Sequence, residues 1–184
     1  DIMAIDTNHE VFSSEGGITI AAGGASPQGP LPMFIAMDPP KHDVQRKTVS
    51  PAVSPTNLAV MEPLIRERAA KILDELPIGV EFDCVDRVSI ELTTQMLATL
   101  FDFPWSERRK LTFWSDVAIC NVNSPEAPVH SEEERFAELL LMGDAFKVLS
   151  RERAKAPPKL DLISMMAHSE GTRDMPEMEF VGNL

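Results

Sequence analysis

No stretch of this chain is apolar over the roughly 20 residues a helix needs to span a bilayer, and no basic-then-apolar leader opens it. A cytoplasmic protein without a membrane span is therefore expected. Basic residues are scarce. Seventeen Lys and Arg face 29 Asp and Glu, for a net charge of −12. So acidic a chain repels phosphate backbones, which argues against nucleic acid as a partner. Cysteine is limited to Cys84 and Cys120, far apart and without CxxC spacing, so both are expected to be reduced thiols. The four histidines, His9, His42, His130 and His168, have no metal-ligand spacing to one another, and no metal site is expected. HExxH, GxSxG, GxxxxGK[ST] and GxGxxG in a strand–helix setting are all missing, which removes the commonest hydrolase, nucleotide and dinucleotide signatures. Repeats and low-complexity tracts are missing too.

What remains is ordinary globular composition, 43% hydrophobic and 25% charged, arranged mostly at helical spacing. Residues 1–12 form a short element ending in a turn at Ser13-Ser14. Residues 16–36 hold five glycines and three prolines, a long loop of the kind that is usually functional or mobile. The loop also carries Ile18, Ile20, Leu31, Met33, Phe34 and Ile35, so it is expected to cover something apolar. Asp38 before Pro39-Pro40 reads as the cap of a helix through Lys41–Val49. Ser54-Pro55 starts a second helix, with Leu58, Met61, Ile65, Ala69, Ile72, Leu73 and Leu76 on its stripe. Pro63 is placed to kink it, and Pro77 with Gly79 to end it. Val85, Val88, Leu92, Met96 and Leu100 form the next stripe. Ser106-Glu107 opens another helix, to about Ile119. Ser131 with Glu134 is a capping-box pattern before a helix carrying Phe136, Leu139, Leu140, Ala145, Phe146 and Leu149. Leu160–His168 and a segment from Pro176 complete the series. Gly79–Phe82 is the one strand candidate, so the fold class is mainly α.

Charge picks out one place. His42 and Arg46 stand four residues apart on the helix after Asp38-Pro39-Pro40, so they share a face, and Lys41 and Lys47 flank them. A His and an Arg on one turn can both donate to a carboxylate or phosphate.

The stretch Met37-Asp38-Pro39-Pro40-Lys41-His42-Asp43-Val44-Gln45-Arg46 resembles the start of the C helix in bacterial cytochromes P450, roughly D-x-P-x-H-x-x-x-R. The likeness extends along the chain. Asn8–Ser14 resembles the end of the B helix, and residues 16–36 the B–C loop that lines the substrate pocket. Leu100-Phe101-Asp102-Phe103-Pro104 resembles the D–E region, and Asp161–Met166 the segment before the I helix. The wording of GGITI, PMFIAMDPPKHDVQRKTVSP, FDFPW and EFVGNL is similar to the subfamily that hydroxylates terminal methyls of alkanes and fatty acids.

The resemblance implies a partial P450 fold over residues 1–184, one domain truncated at both ends. It would run from the B–C loop through the H helix and be incomplete without the I, K and L helices. It implies haem b as cofactor, with His42 and Arg46 donating to a haem propionate. Ile18, Ile20, Leu31, Met33 and Phe34 would be substrate-wall residues, and Trp114 and Ile119 are further candidates, for the pocket or for the core. The intact enzyme would insert one oxygen atom from O2 into a terminal C–H bond of a medium-chain alkane or fatty acid. Ferredoxin and ferredoxin reductase would supply electrons, with Lys47 near the docking face. The segments that carry the family's oxygen-activating I-helix motif, its K-helix E-x-x-R and its Cys-bearing F-x-x-G-x-x-x-C-x-G find no counterpart in this chain. Neither Cys84 nor Cys120 has the flanking glycines of a haem ligand, so no catalytic residue and no iron ligand is expected here, and the chain alone should be inert. Two other readings stay open: a helical interaction module without a cofactor, and a non-catalytic binder that uses the cationic spot as a carboxylate or tetrapyrrole clamp.

Overall fold

The computed structural model describes residues 1–15 and 32–184. Eight α-helices follow one another: α1 (Ile2–Asp6), α2 (Lys41–Val49), α3 (Pro55–Asp74), α4 (Glu91–Phe101), α5 (Arg109–Ile119), α6 (Glu132–Arg153), α7 (Leu162–His168) and α8 (Glu177–Gly182). No strand occurs among the described residues. Gly79–Phe82 is therefore not a strand. Gly79 sits at φ 74°, Ile78 before it is almost fully exposed, and no neighbouring strand offers the ladder an isolated strand needs.

Several helix starts follow directly from their capping chemistry. Ser54 Oγ accepts from the Asn57 N–H with Pro55 at the first helical position. Ser131 Oγ accepts from the Glu134 N–H at 3.1 Å, and Asp161 Oδ1 from the Ser164 N–H at 2.7 Å. Each satisfies a backbone donor that the helix cannot. The Glu134 carboxylate reaches the His130 N–H, one residue before the cap, rather than closing the box on Ser131.

Asp38 is a correction. It does not cap α2. Its carboxylate accepts instead from the Ser13 hydroxyl and from the Ser14 N–H at 2.9 Å, which ties the N-terminal segment to the approach to α2. The Ser13 hydroxyl, then the Ser14 N–H, hold the Asp38 carboxyl below its ordinary value.

Pro63 lies inside α3, which runs through it as a single 20-residue helix. A proline removes the hydrogen bond to the carbonyl four residues back. Pro63 and Ala59 are both exposed, so water can serve the freed carbonyl. The stripe before α4 also differs from expectation. Val85–Ile90 forms a turn of π-helix, which inserts an extra residue and rotates the following face. Thr94 and Ala98 are consequently the buried residues of α4, and Val85 is exposed.

The core gathers Ala98, Phe103, Leu111, Trp114, Phe146, Leu149, Ile163, Met166 and Phe180. Phe103 follows Asp102, which adopts the left-handed conformation at the end of α4, and this turn directs its ring inward. Phe103 stacks edge-on to Trp114 (centroids 6.1 Å) and lies 5.3 Å from Phe146. Such aromatic pairs are worth about 0.5–1.5 kcal/mol each beyond their burial. Trp114, at 5% exposure, belongs to this core, whereas Ile119 is 81% exposed and stands outside it.

Candidate functional site

The candidate site is built around α2, a nine-residue helix with no side-chain cap. A helix this short is marginal alone, so its neighbours must place it. From one side comes the segment after α7. Thr48 Oγ1 and Ser169 Oγ are 3.1 Å apart, and Gly171 lies so close that a Cβ there would meet Val44 Cγ1 at 2.5 Å. From another side comes α8. The Asn183 Nδ2 donates to Gln45 Oε1 at 2.9 Å, the Gln45 Nε2 donates to Glu179, and the Lys41 ammonium donates to Glu179 Oε2 at 2.6 Å. Gln45 and Glu179 are both buried. Burying amide and carboxylate groups is costly unless they are paired, and here each finds its complement in the other helix.

The same α8 reaches the segment preceding α2. Asn183 Oδ1 accepts from the Phe34 N–H at 2.7 Å. Phe34 opens a single 3-10 turn, Phe34–Ala36, and its half-buried ring stands 6.2 Å from the His42 imidazole. A residue expected on the substrate wall and a residue expected on the haem clamp are thus neighbours. Met33 is half-buried beside Phe34. Ile18, Ile20 and Leu31 lie outside the described residues.

His42 and Arg46 sit one turn apart on α2. His42 Nδ1 lies 2.8 Å from Asp43 Oδ1, which leaves Nε2 as the nitrogen free to meet a ligand. Arg46 is exposed, and its guanidinium has no carboxylate partner among the described residues. Lys41, by contrast, turns to Glu179 and leaves the cationic spot. Two free donors beside an aromatic ring suit a group with an apolar plane and a carboxylate edge, so the residues present fit a haem margin.

Both cysteines are free. Cys84 is exposed just before the π turn, and the Cys120 thiol donates to the Val117 carbonyl at 3.4 Å. Neither is near α2 in sequence. No group of three or more His, Cys, Asp or Glu placed to hold a metal ion occurs among the described residues. An open groove of about 260 Å³ runs along the other flank of α2, lined by Lys41, Gln45, Glu170, Asp174 and Glu179 among others.

Sequence reasoning missed Gln45, Glu179 and Asn183. Their signal was present but weak: a polar residue in the middle of α2, and a Glu and an Asn four apart on a segment otherwise apolar.

No family model matches the chain. Its structure superposes on cytochrome P450-153 from Novosphingobium aromaticivorans with a TM-score of 0.81 and 46% identity, covering 99% of this chain and 45% of that one. CYP153D17 from Sphingomonas sp. PAMC 26605 gives 0.82 and 47%, covering 99% and 46%. Among curated proteins, linalool 8-monooxygenase of Pseudomonas putida is 32% identical over 96% of this chain and 42% of its own length. The chain belongs to the cytochrome P450 family and has a partial P450 fold. It spans just under half the length of the relatives it matches. No described helix is long and apolar enough to cross a membrane.

Proposed function

We propose that the protein carrying this chain is a haem-thiolate monooxygenase acting on terminal C–H bonds of medium-chain alkanes or fatty acids, with residues 1–184 as part of its single P450 domain. The observation that carries this reading is the placement of Phe34 beside His42. It joins an apolar wall to a two-donor helix, in a chain 46–47% identical to two P450s of the 153 group. Monooxygenases are also named among the curated relatives.

Haem, when bound, supplies activation of dioxygen and insertion of one oxygen atom into a C–H bond, with two electrons and two protons reducing the other atom to water. Arg46 and His42 Nε2 would donate to a haem propionate, fixing the plane of the ring against α2. Met33, Phe34, Ile18, Ile20 and Leu31 would hold the substrate chain by burial, at about 0.8 kcal/mol per methylene. Presenting a terminal methyl, the least reactive carbon, requires a narrow approach that excludes the neighbouring methylenes. Cys84 and Cys120 lack the setting of an axial ligand, so the thiolate would come from residues beyond this chain. Ferredoxin, reduced by ferredoxin reductase, is the proposed electron donor, steered toward Lys47 and its neighbours, and the cytoplasm the proposed setting.

The test uses the full-length haem-loaded protein with ferredoxin, its reductase and 18O2. The expected product from dodecanoic acid is a hydroxy acid carrying one 18O atom, together with a thiolate-type spectrum of the reduced CO complex. A CO complex of histidine type, or no labelled product from dodecanoic acid or octane, would favour the non-catalytic clamp.

A further inference from the structure

The polar links between α8 and α2 run in one direction. The Phe34 N–H can only donate, and it donates to Asn183 Oδ1. That orients the Asn183 carboxamide, whose Nδ2 donates to Gln45 Oε1. Gln45 Nε2 then donates to the Glu179 carboxylate, which also accepts from Lys41. A donor-only group at one end and an acceptor at the other fix both amides, so neither can flip without losing two bonds. Hydrogen bonds aligned this way polarise one another, and more strongly where water is excluded. Asn183 is the junction. Its side chain hydrogen-bonds both the 3-10 turn carrying Phe34 and the helix carrying His42 and Arg46. Its own place is firm, because Phe180, three residues earlier, is in the core, and Gly143 of α6 lets Val181 approach to within about the width of a methyl group.

We propose that Asn183 is a positioning residue for substrate. It fixes the Phe34 backbone relative to α2 and so sets which carbon of a bound chain is presented. The second half rests on Phe34 being a wall residue, as proposed above; the first half does not. Asn183→Leu removes both hydrogen bonds at similar size. Asn183→Asp keeps an acceptor for the Phe34 N–H and loses the donor to Gln45.

The experiment takes the full-length haem-loaded protein and its two variants through hydrogen exchange and through turnover of dodecanoic acid. In Asn183→Leu the Phe34 amide should exchange about five- to tenfold faster, the loss of one net hydrogen bond. The ratio of terminal to internal hydroxy acids should fall by a similar factor, with haem content unchanged. Asn183→Asp should restore both readouts toward the parent, which a merely structural role for Asn183 would not produce. Unchanged Phe34 exchange in Asn183→Leu, or an Asn183→Asp protein as altered as the leucine variant, would overturn the proposal. Altered exchange with an unaltered product ratio would overturn its second half. A parent protein that hydroxylates no dodecanoic acid would sink the substrate reading, while the exchange pair would still decide whether Asn183 anchors Phe34.

Discussion

Two regions of different character meet on α8. Phe180 enters an apolar cluster with Phe103, Trp114 and Phe146, where the contacts are non-directional and many. Glu179, on the same short helix, and Asn183, just past its end, enter a polar seat under α2, where a few bonds each have one donor and one acceptor. The first region holds the helices together. The second holds α2 and Phe34 in one register relative to each other. An apolar cluster tolerates a rotated or shifted neighbour at modest cost, because dispersion has little direction. A buried amide–carboxylate set does not, because each unmade bond leaves a desolvated group. His42, Arg46 and Phe34 are thus placed by the region with fewer, more directional contacts.

The largest effect should come from the apolar side. Phe146 is 2% exposed and contacts three other rings. Phe146→Ala should cost about 3–5 kcal/mol, as large cavities in aromatic cores do. Denaturant unfolding of the full-length protein would read it, and a loss below 1 kcal/mol would mean the ring cluster does not bear the stability argued here.

The polar seat should respond less in stability and more in placement. Gln45→Leu leaves Glu179 and Asn183 each short of a partner in a buried setting, which should cost about 1–3 kcal/mol. Gln45→Glu should be worse than Gln45→Leu, because it sets two carboxylates against each other. If the glutamate variant proved as stable as the parent near neutral pH, the seat would not be as dry as its burial indicates.

The smallest effect concerns Asp161. It is buried, Oδ1 caps α7 and Oδ2 has no hydrogen-bond partner. Burial pushes its carboxyl above the ordinary carboxylate value of 3.8. A carboxyl raised in the folded state binds its proton more tightly there than in the unfolded chain, so stability falls as pH rises through and above that value. Asp161→Asn keeps the cap and removes the charge. It should flatten that dependence and be at least as stable as the parent at pH 7. A variant that matches the parent at low pH but is less stable than it at pH 7 would assign the charge a favourable role, through Arg153 or Lys159.

How much of this was legible beforehand follows the same division. The apolar periodicity located Phe146, Leu149 and the helices on either side, and the helix starts at Ser54 and Ser131 needed only a short side-chain oxygen. The π turn at Val85–Ile90 left no mark in the pattern, because steps of three and four continue through it. Asp38 was misread as a cap because its partners, Ser13 and Ser14, are 25 and 24 residues away. The polar seat was illegible for a related reason. A buried Gln and a buried Glu are paired over more than 130 residues, and nothing local distinguishes them from solvated side chains. His42 and Arg46 were legible through their spacing and the family resemblance, and the structure places them on one helix beside Phe34.

The claim on which the rest depends is that α2 holds haem through those two donors. It is tested most directly by the rate at which haem leaves the full-length protein to a scavenger. A charge-assisted hydrogen bond is worth about 1.5–3 kcal/mol, so Arg46→Ala should release haem about tenfold faster or more. His42→Ala should act in the same direction, and Lys155→Ala, an exposed cation outside α2, should not. Haem loss at the parent rate from both α2 variants would contradict the account.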